Sequence, residues 1–348
     1  MNETTFQVAR ILTLSFGAFT LAMILTPWWT HFLFKYRLGK QIRTEGAPVF
    51  TALHKTKEGT PTMGGVLIWL TLLVLISLLA FLEKMFPASL WAKLSFFSRP
   101  QTLLPLGVLI FSAFIGLGDD LLGIFKIGPK GGGLKMRHRL LLYTLVAFVA
   151  ALWFYFKLEW DVIKIPFLGN FNIDGWFIPL AVFIVVATSF SVNEADGLDG
   201  LAGGLMLIAF AGYTVVSFFE GRYDLATFCA AVVGGLLAFL WFNIHPARFF
   251  MGDTGAMSLG VTLAVIALLT NAAFILPLIA FVPMVESVSV IIQVLSKKLR
   301  GGKKVFLSAP IHHHFQAKGW PETKVTERFW IIGSIMAVIG IIIQLLGR

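Results

Sequence analysis

The chain has 348 residues, 57% of them hydrophobic and only 13% charged, with a formal net charge of +10 and a mean hydropathy of +0.83. Soluble domains carry about 25% charged residues. This composition therefore excludes an ordinary soluble globule and turns the excess cations from a nucleic-acid signal into a question of membrane orientation. The single cysteine, Cys229, excludes a disulfide framework or a cysteine-based zinc site.

Apolar runs near the length that crosses a bilayer core, about 20 residues, predict ten spans. They fall at roughly 10–34, 62–82, 102–118, 140–156, 176–192, 200–219, 225–243, 256–271, 274–295 and 329–346. The first run is too long for the apolar core of a cleaved signal. The eighth and ninth are separated only by Asn271 and two alanines. Of the nine loops, the odd-numbered ones hold twenty Lys and Arg and the even-numbered ones six. Cytoplasmic loops carry the excess of cations, so the odd loops are expected inside and both termini periplasmic. The expected fold class is an all-α polytopic membrane protein of about ten transmembrane helices, one domain over residues 1–348, with no internal repeat.

Motifs that could carry chemistry cluster in the odd loops. Lys57 opens the run Lys57-Glu-Gly-Thr-Pro-Thr-Met-Gly-Gly65, whose glycines and hydroxyls can present backbone N–H groups to an anion. Asp119 and Asp120 end the third span. Adjacent carboxylates at a low-dielectric boundary call for a compensating cation, which Mg²⁺ shared with a substrate phosphate would supply; a solvated helix end is the plainer reading. Arg137, His138 and Arg139 precede the fourth span, where juxtamembrane cations also serve topology and anionic headgroups. Asn193, Asp196 and Asp199 follow at three-residue steps, with Gly197 and Gly200 suggesting a turn; either aspartate could instead cap the next helix.

Asn243 and His245 lie where the seventh span ends. Asp253 stands between glycines in Met251-Gly-Asp-Thr-Gly255, a setting for a metal or phosphate site or for a tight turn. Glu286 falls inside a span, where an ionisable side chain marks a functional or bundle-interior position. His312, His313 and His314 are adjacent, so they cannot all point at one ion, and phosphate contact is favoured over a zinc site. Together these groups predict an active site on the cytoplasmic face, built for an anionic substrate whose phosphates reach the carboxylates through a divalent metal.

Six segments carry a family resemblance: Gly59–Gly65, Gly118–Asp120, Asn193 with Asp196–Ala202, Phe249–Gly255, Pro310–Phe315 and Gly319–Glu322. In this order they resemble the phospho-N-acetylmuramoyl-pentapeptide-transferase family of the polyprenyl-phosphate N-acetylhexosamine-1-phosphate transferases. The resemblance implies ten helices and the first membrane step of peptidoglycan synthesis. UDP-N-acetylmuramoyl-pentapeptide and undecaprenyl phosphate would give lipid I and UMP with Mg²⁺ at the bacterial inner membrane. It implies Asp253 as metal ligand, and Asp119, Asp120, Asp253 and His312 as catalytic residues, with Asp119 the base. Substrate-binding positions would be Lys57, Thr62, Asn193, Asp196, Asp199, Asn243, Phe250, Gln293, His313, His314 and Arg137, with Asp199 a uracil contact. A homodimer in the lipid bilayer, and no nucleic-acid partner, are further expectations. The chain departs from the family where Gly123 replaces a common Lys and where Asn193-Glu-Ala-Asp196 replaces Asn-Leu-Thr-Asp. The competing readings are a transferase acting on a UDP-N-acetylhexosamine without peptide, and a transporter, which would place its polar residues at the midplane.

Overall fold

A computed structural model describes residues 2–39, 57–98, 101–128 and 132–347. Lys40, Arg43, Lys55, Arg99 and Lys130, all counted for orientation, lie outside them. In chain order the helices are α1 (Glu3–Lys35), α2 (Val66–Met85), the short α3 (Leu90–Leu94), α4 (Leu103–Ile124) and α5 (Met136–Leu152), which runs on as one π-helical turn. There follow α6 (Phe177–Ala195), α7 (Leu201–Phe219), α8 (Tyr223–Asn243), α9 (Asp253–Leu269), α10 (Leu276–Ile279), α11 (Phe281–Leu299), the short α12 (Ile311–Ala317) and α13 (Glu322–Leu346). Among the described residues, eight helices are long and apolar enough to cross a membrane, or nine if the bent α10–α11 pair is one span. The chain is thus a helical, multi-spanning membrane protein.

Three details differ from expectation. The loop after α5 forms an antiparallel hairpin, β1 (Val162–Ile165) with β2 (Gly169–Asn172), so the fold is all-α only in its membrane part. The expected span 256–271 begins earlier, at Asp253, and stops at 17 residues. Its successor is broken, with an 83° bend between the segments 273–279 and 281–299.

Helix α9 is the hub. Every residue from Thr254 to Leu269 is buried, and α4 and α6 pack along it, with α7 and α2 completing the ring. At about 1.5 Å per residue it is about 25 Å long, less than the roughly 30 Å of a bilayer core. A helix enclosed by protein need not match the lipid thickness. Its N-terminus meets α4 closely: a Cβ at Gly116 would stand 2.3 Å from the Asp253 carbonyl oxygen, so only glycine permits the approach.

At the other end of the bundle, buried Arg10 of α1 is anchored by Asp224 of α8 at 2.8 Å and by the Ser95 carbonyl. Helix α11 reverses the soluble pattern. Its buried face carries Glu286, Ser289, Gln293 and Ser296 at helical spacing, while Val288, Ile291, Ile292, Val294 and Leu295 are exposed. In a bilayer the apolar face belongs outside and the polar stripe needs protein partners.

Candidate active site

The loop 61–65 lies against 250–251 like a short ladder. Gly64 N–H donates to Phe250 C=O at 2.8 Å, Gly65 N–H to Met251 C=O at 2.9 Å, and Phe250 N–H to Pro61 C=O at 2.8 Å. This pairing fixes the entry to α9. Gly252 turns the chain there at φ +74° and ψ 171°, and Thr62 Oγ1 and the Asp120 carboxylate flank it on the side where a Cβ would stand.

Asp119 and Asp120 are adjacent on α4, about 100° apart around the helix, and face different partners. Asp120 accepts from the backbone N–H groups of Asp253 (3.1 Å) and Thr254 (3.0 Å), capping the free donors at the start of α9. Asp119 accepts from Leu134 N–H at 2.6 Å and pairs with Arg139 Nε at 2.6 Å. The same guanidinium reaches Asp253 at 2.9 Å, and Asn193 Nδ2 donates to Asp253 at 2.5 Å. Three carboxylates therefore surround one cation, and the positive end of the α9 dipole offsets only part of the surplus.

Arg139, grouped with Arg137 before the fourth span but not named among the substrate-binding positions, is the one that bridges these aspartates. Arg137 was the expected substrate contact, but it is exposed and outside this cluster. The reason is helical geometry: residues two apart on α5 point about 200° apart, so only one of the pair can face α4 and α9.

A second cluster joins Lys57 to the turn before α7. Lys57 Nζ lies 2.7 Å from Asp199 and 2.5 Å from Glu322, and 5.9 Å from the centre of the Phe250 ring. Asp199 also accepts from Ala247 N–H at 3.1 Å and faces His245 Nδ1 at 3.0 Å. Burial pushes the Asp199 carboxyl pKa up, but the hydrogen bond and charge of Lys57, aided by Ala247 and His245, hold it below the ordinary value. Asp199 is therefore no helix cap: Gly200, at φ +76°, holds that position. Asn243 ties the turn to the next loop, accepting from Gly200 N–H at 3.0 Å and donating to Phe249 C=O at 2.8 Å. Asp196 ends α6, its N–H on Asn193 C=O at 3.3 Å.

Asp199, His245 and Glu322 bring ligand atoms within 4.8 Å of one another, a candidate metal-ligating cluster among the described residues. Lys57 offsets one of the two carboxylate charges in that cluster, whereas the three aspartates around Arg139 keep the larger excess of negative charge. Neither His245 nor Glu322 was singled out beforehand as a site residue; their nearest sequence signals were the polar end of α8 and the Gly319–Glu322 run.

The three histidines diverge. His312 Nδ1 faces the Glu286 carboxylate at 2.9 Å, with both side chains buried, and its ring lies against Gly197. His313 pairs with Gln316 at 2.8 Å. His314 accepts from Leu307 N–H at 3.1 Å; burial, then Lys318, lowers its pKa. Gln293, an expected substrate contact, is engaged within the protein. It accepts from Val305 and Phe306 N–H, both at 3.0 Å, and donates to Phe306 C=O at 2.8 Å. The polar stripe of α11 thus pins the segment that carries the histidines.

Comparison with known proteins agrees with this layout. Residues 102–271 match the family described as Glycosyl transferase family 4, and residues 57–68 match Phospho-N-acetylmuramoyl-pentapeptide-transferase signature 1. The phospho-N-acetylmuramoyl-pentapeptide-transferase of Chloroflexus aggregans is 42% identical across 98% of this chain and 91% of its own length. The enzyme of the same name from Listeria innocua is 37% identical across 93% and 95%, and that of Desulfatibacillum aliphaticivorans 36% across 97% and 95%. With near-full-length identity at this level and the signature lying on the loop that fixes α9, the chain belongs to the phospho-N-acetylmuramoyl-pentapeptide-transferase family.

Proposed function

We propose that the protein transfers phospho-N-acetylmuramoyl-pentapeptide from its UDP derivative to undecaprenyl phosphate, giving lipid I and UMP, as a multi-pass enzyme of the bacterial inner membrane. The observation that carries the reading is the bridge Asp119–Arg139–Asp253, with Asn193 and Asp120 around it at the start of α9. Family membership supplies the substrates.

In the reaction, an oxygen of the lipid phosphate bonds to the β-phosphorus. The bond from that phosphorus to the bridging oxygen breaks, and its electron pair leaves with UMP. A lipid phosphate whose second pKa lies near about 6 is largely ionised at neutral pH, so Asp119 takes only a residual proton and orients the nucleophile. Arg139 balances charge on the substrate oxygens. The surplus of carboxylate oxygens at Asp119, Asp120 and Asp253 fits a hard divalent cation. Asp253 would hold it, and Mg²⁺ there supplies charge neutralisation at the diphosphate. Asp120 keeps α9 in register beneath these groups. Lys57, Asp199, Asn243 and Phe250 are assigned to the nucleotide side, with Thr62 and Asp196 near the entry to α9 and α7. His312 and His313 are assigned to the substrate side of the same site.

The same reading gives ten spans, with α9 and the bent α10–α11 pair as the eighth and ninth, the chemistry on the cytoplasmic face and a single domain. A homodimer belongs to it as well and would appear as twice the protomer mass in detergent.

Its test is UMP release by purified protein from the muramoyl-pentapeptide nucleotide, with and without a polyprenyl phosphate and Mg²⁺. Release is expected only with both. Asp253→Ala should lower turnover by about 10²–10³-fold while the protein still inserts; near-normal turnover would overturn the assignment of Asp253.

A further inference from the structure

Helix α1 carries three threonines in its middle and last turns. Thr20 and Thr26 return their hydroxyls to the carbonyls four residues earlier, at 2.9 and 2.7 Å. Thr30 does not. It is 7% exposed, and its Oγ1 is buried without a hydrogen-bond partner. A buried hydroxyl left unpaired costs about 1–3 kcal/mol, so its setting needs an explanation.

Thr30 lines a cavity of about 310 Å³ with Thr26, His31, Phe34, Phe242 and Arg248. Arg248 is exposed, its guanidinium 5.8 Å from the centre of the Phe242 ring, and no carboxylate pairs with it among the described residues. The cavity therefore combines an uncompensated cation, an unfilled hydroxyl and aromatic walls. Around it Trp28, Phe34, Trp241 and Ile244 are exposed, the composition of a surface at the membrane–water boundary. It opens on the same side of the bundle as the candidate active site, because Arg248 follows Ala247, which binds Asp199.

We propose that this cavity is a binding site for the phosphate headgroup of a bilayer glycerophospholipid. Arg248 and Thr30 hold the phosphate oxygens, and the acyl chains run over the exposed aromatic surface of α1 and α8. The occupant is a resident phospholipid rather than the acceptor lipid. Helix α1 packs on α8 and α2, and these stand between it and the aspartates on α4 and α9. A lipid phosphate satisfies both the guanidinium and the hydroxyl, whereas a neutral apolar molecule would leave both unpaired.

The test uses the full chain in detergent, with thermal stability and native mass spectrometry as readouts. The probes are dioleoyl phosphatidylglycerol, dioleoylglycerol, inorganic phosphate and a polyprenyl phosphate. Phosphatidylglycerol should raise the melting temperature and remain bound; dioleoylglycerol and inorganic phosphate should do neither. Arg248→Gln and Thr30→Val should each weaken retention, by about tenfold for the charge-assisted contact, and Arg248→Lys should restore part of it. Because Arg248 is exposed, its variants fold independently of the lipid. Unchanged retention in both variants overturns the site. An equal response to dioleoylglycerol overturns the phosphate contact, an equal response to inorganic phosphate overturns the lipid, and a response to polyprenyl phosphate alone makes the cavity an acceptor site.

Discussion

Gly252 occupies a backbone region that is essentially closed to other residues. Its φ is +74° and its ψ 171°, and a Cβ there would stand 2.6 Å from Asp120 Oδ2 and 2.7 Å from Thr62 Oγ1. Gly252→Ala should cost about 1–3 kcal/mol from backbone strain alone and should displace the Asp120 carboxylate from the start of α9. A lower melting temperature with loss of UMP release is the expected result, and a wild-type melting temperature would show that the turn relaxes. Lys57 gives a pH-dependent counterpart. The Asp199 pKa is held below its ordinary value, so the folded protein binds that proton more weakly than the unfolded chain does. The resulting stabilisation is present above the ordinary carboxylate pKa, about 3.9, and is lost as pH falls through the lower folded value. Lys57→Met removes the main cause of that depression, so the melting temperature should fall at neutral pH and the drop along its acid limb should shrink. Superimposable acid limbs would contradict the pairing.

At the scale of elements, apolar run length found nearly all the membrane helices, because about 20 residues of hydrocarbon-facing chain leave a strong signal. It mistook the extent of α9 and the continuity of α10–α11, since burial within protein relaxes the length rule that lipid imposes. The hairpin was missed as well: Val162–Ile165 is only four residues, too short for its period to register. The carboxylates were legible as groups but not in their pairings. Which of Arg137 and Arg139 faces inward depends on the rotation of α5, and which of Asp119 and Asp120 caps α9 depends on a contact 133 residues away. Glu286 was legible as an oddity, and its partner is His312. Removing one member of a buried polar pair leaves the other without its partner, a cost of about 1–3 kcal/mol. His312→Ala and Glu286→Ala should each lower the melting temperature strongly, and the double variant should be less destabilised than the sum of the two. Simple additivity would mean that the two side chains are not coupled.

Across the whole molecule, the acidic clusters, the histidine segment and the cavity under Arg248 gather at one end of the bundle, while Arg10–Asp224 and the hairpin lie toward the other. Orientation in the membrane rests on cations at that first end, through the positive-inside rule. Fusions at the C-terminus should therefore give active alkaline phosphatase and dark green fluorescent protein. The opposite pattern would invert the protein and move the site to the periplasmic face. The enclosure of α9 also bears on how the chain is made. Helices leave the ribosome in order, so α4, α6, α7 and α8 are already in the bilayer when α9 emerges. With 17 residues, α9 is a weak span for the insertion machinery to place on its own. Its partners must then part, admit it and close around it. Asp253, the last of the three clustered aspartates, enters with it, so on the proposed function the site is assembled by a late step of membrane insertion and a nascent chain should be inert until that step is complete.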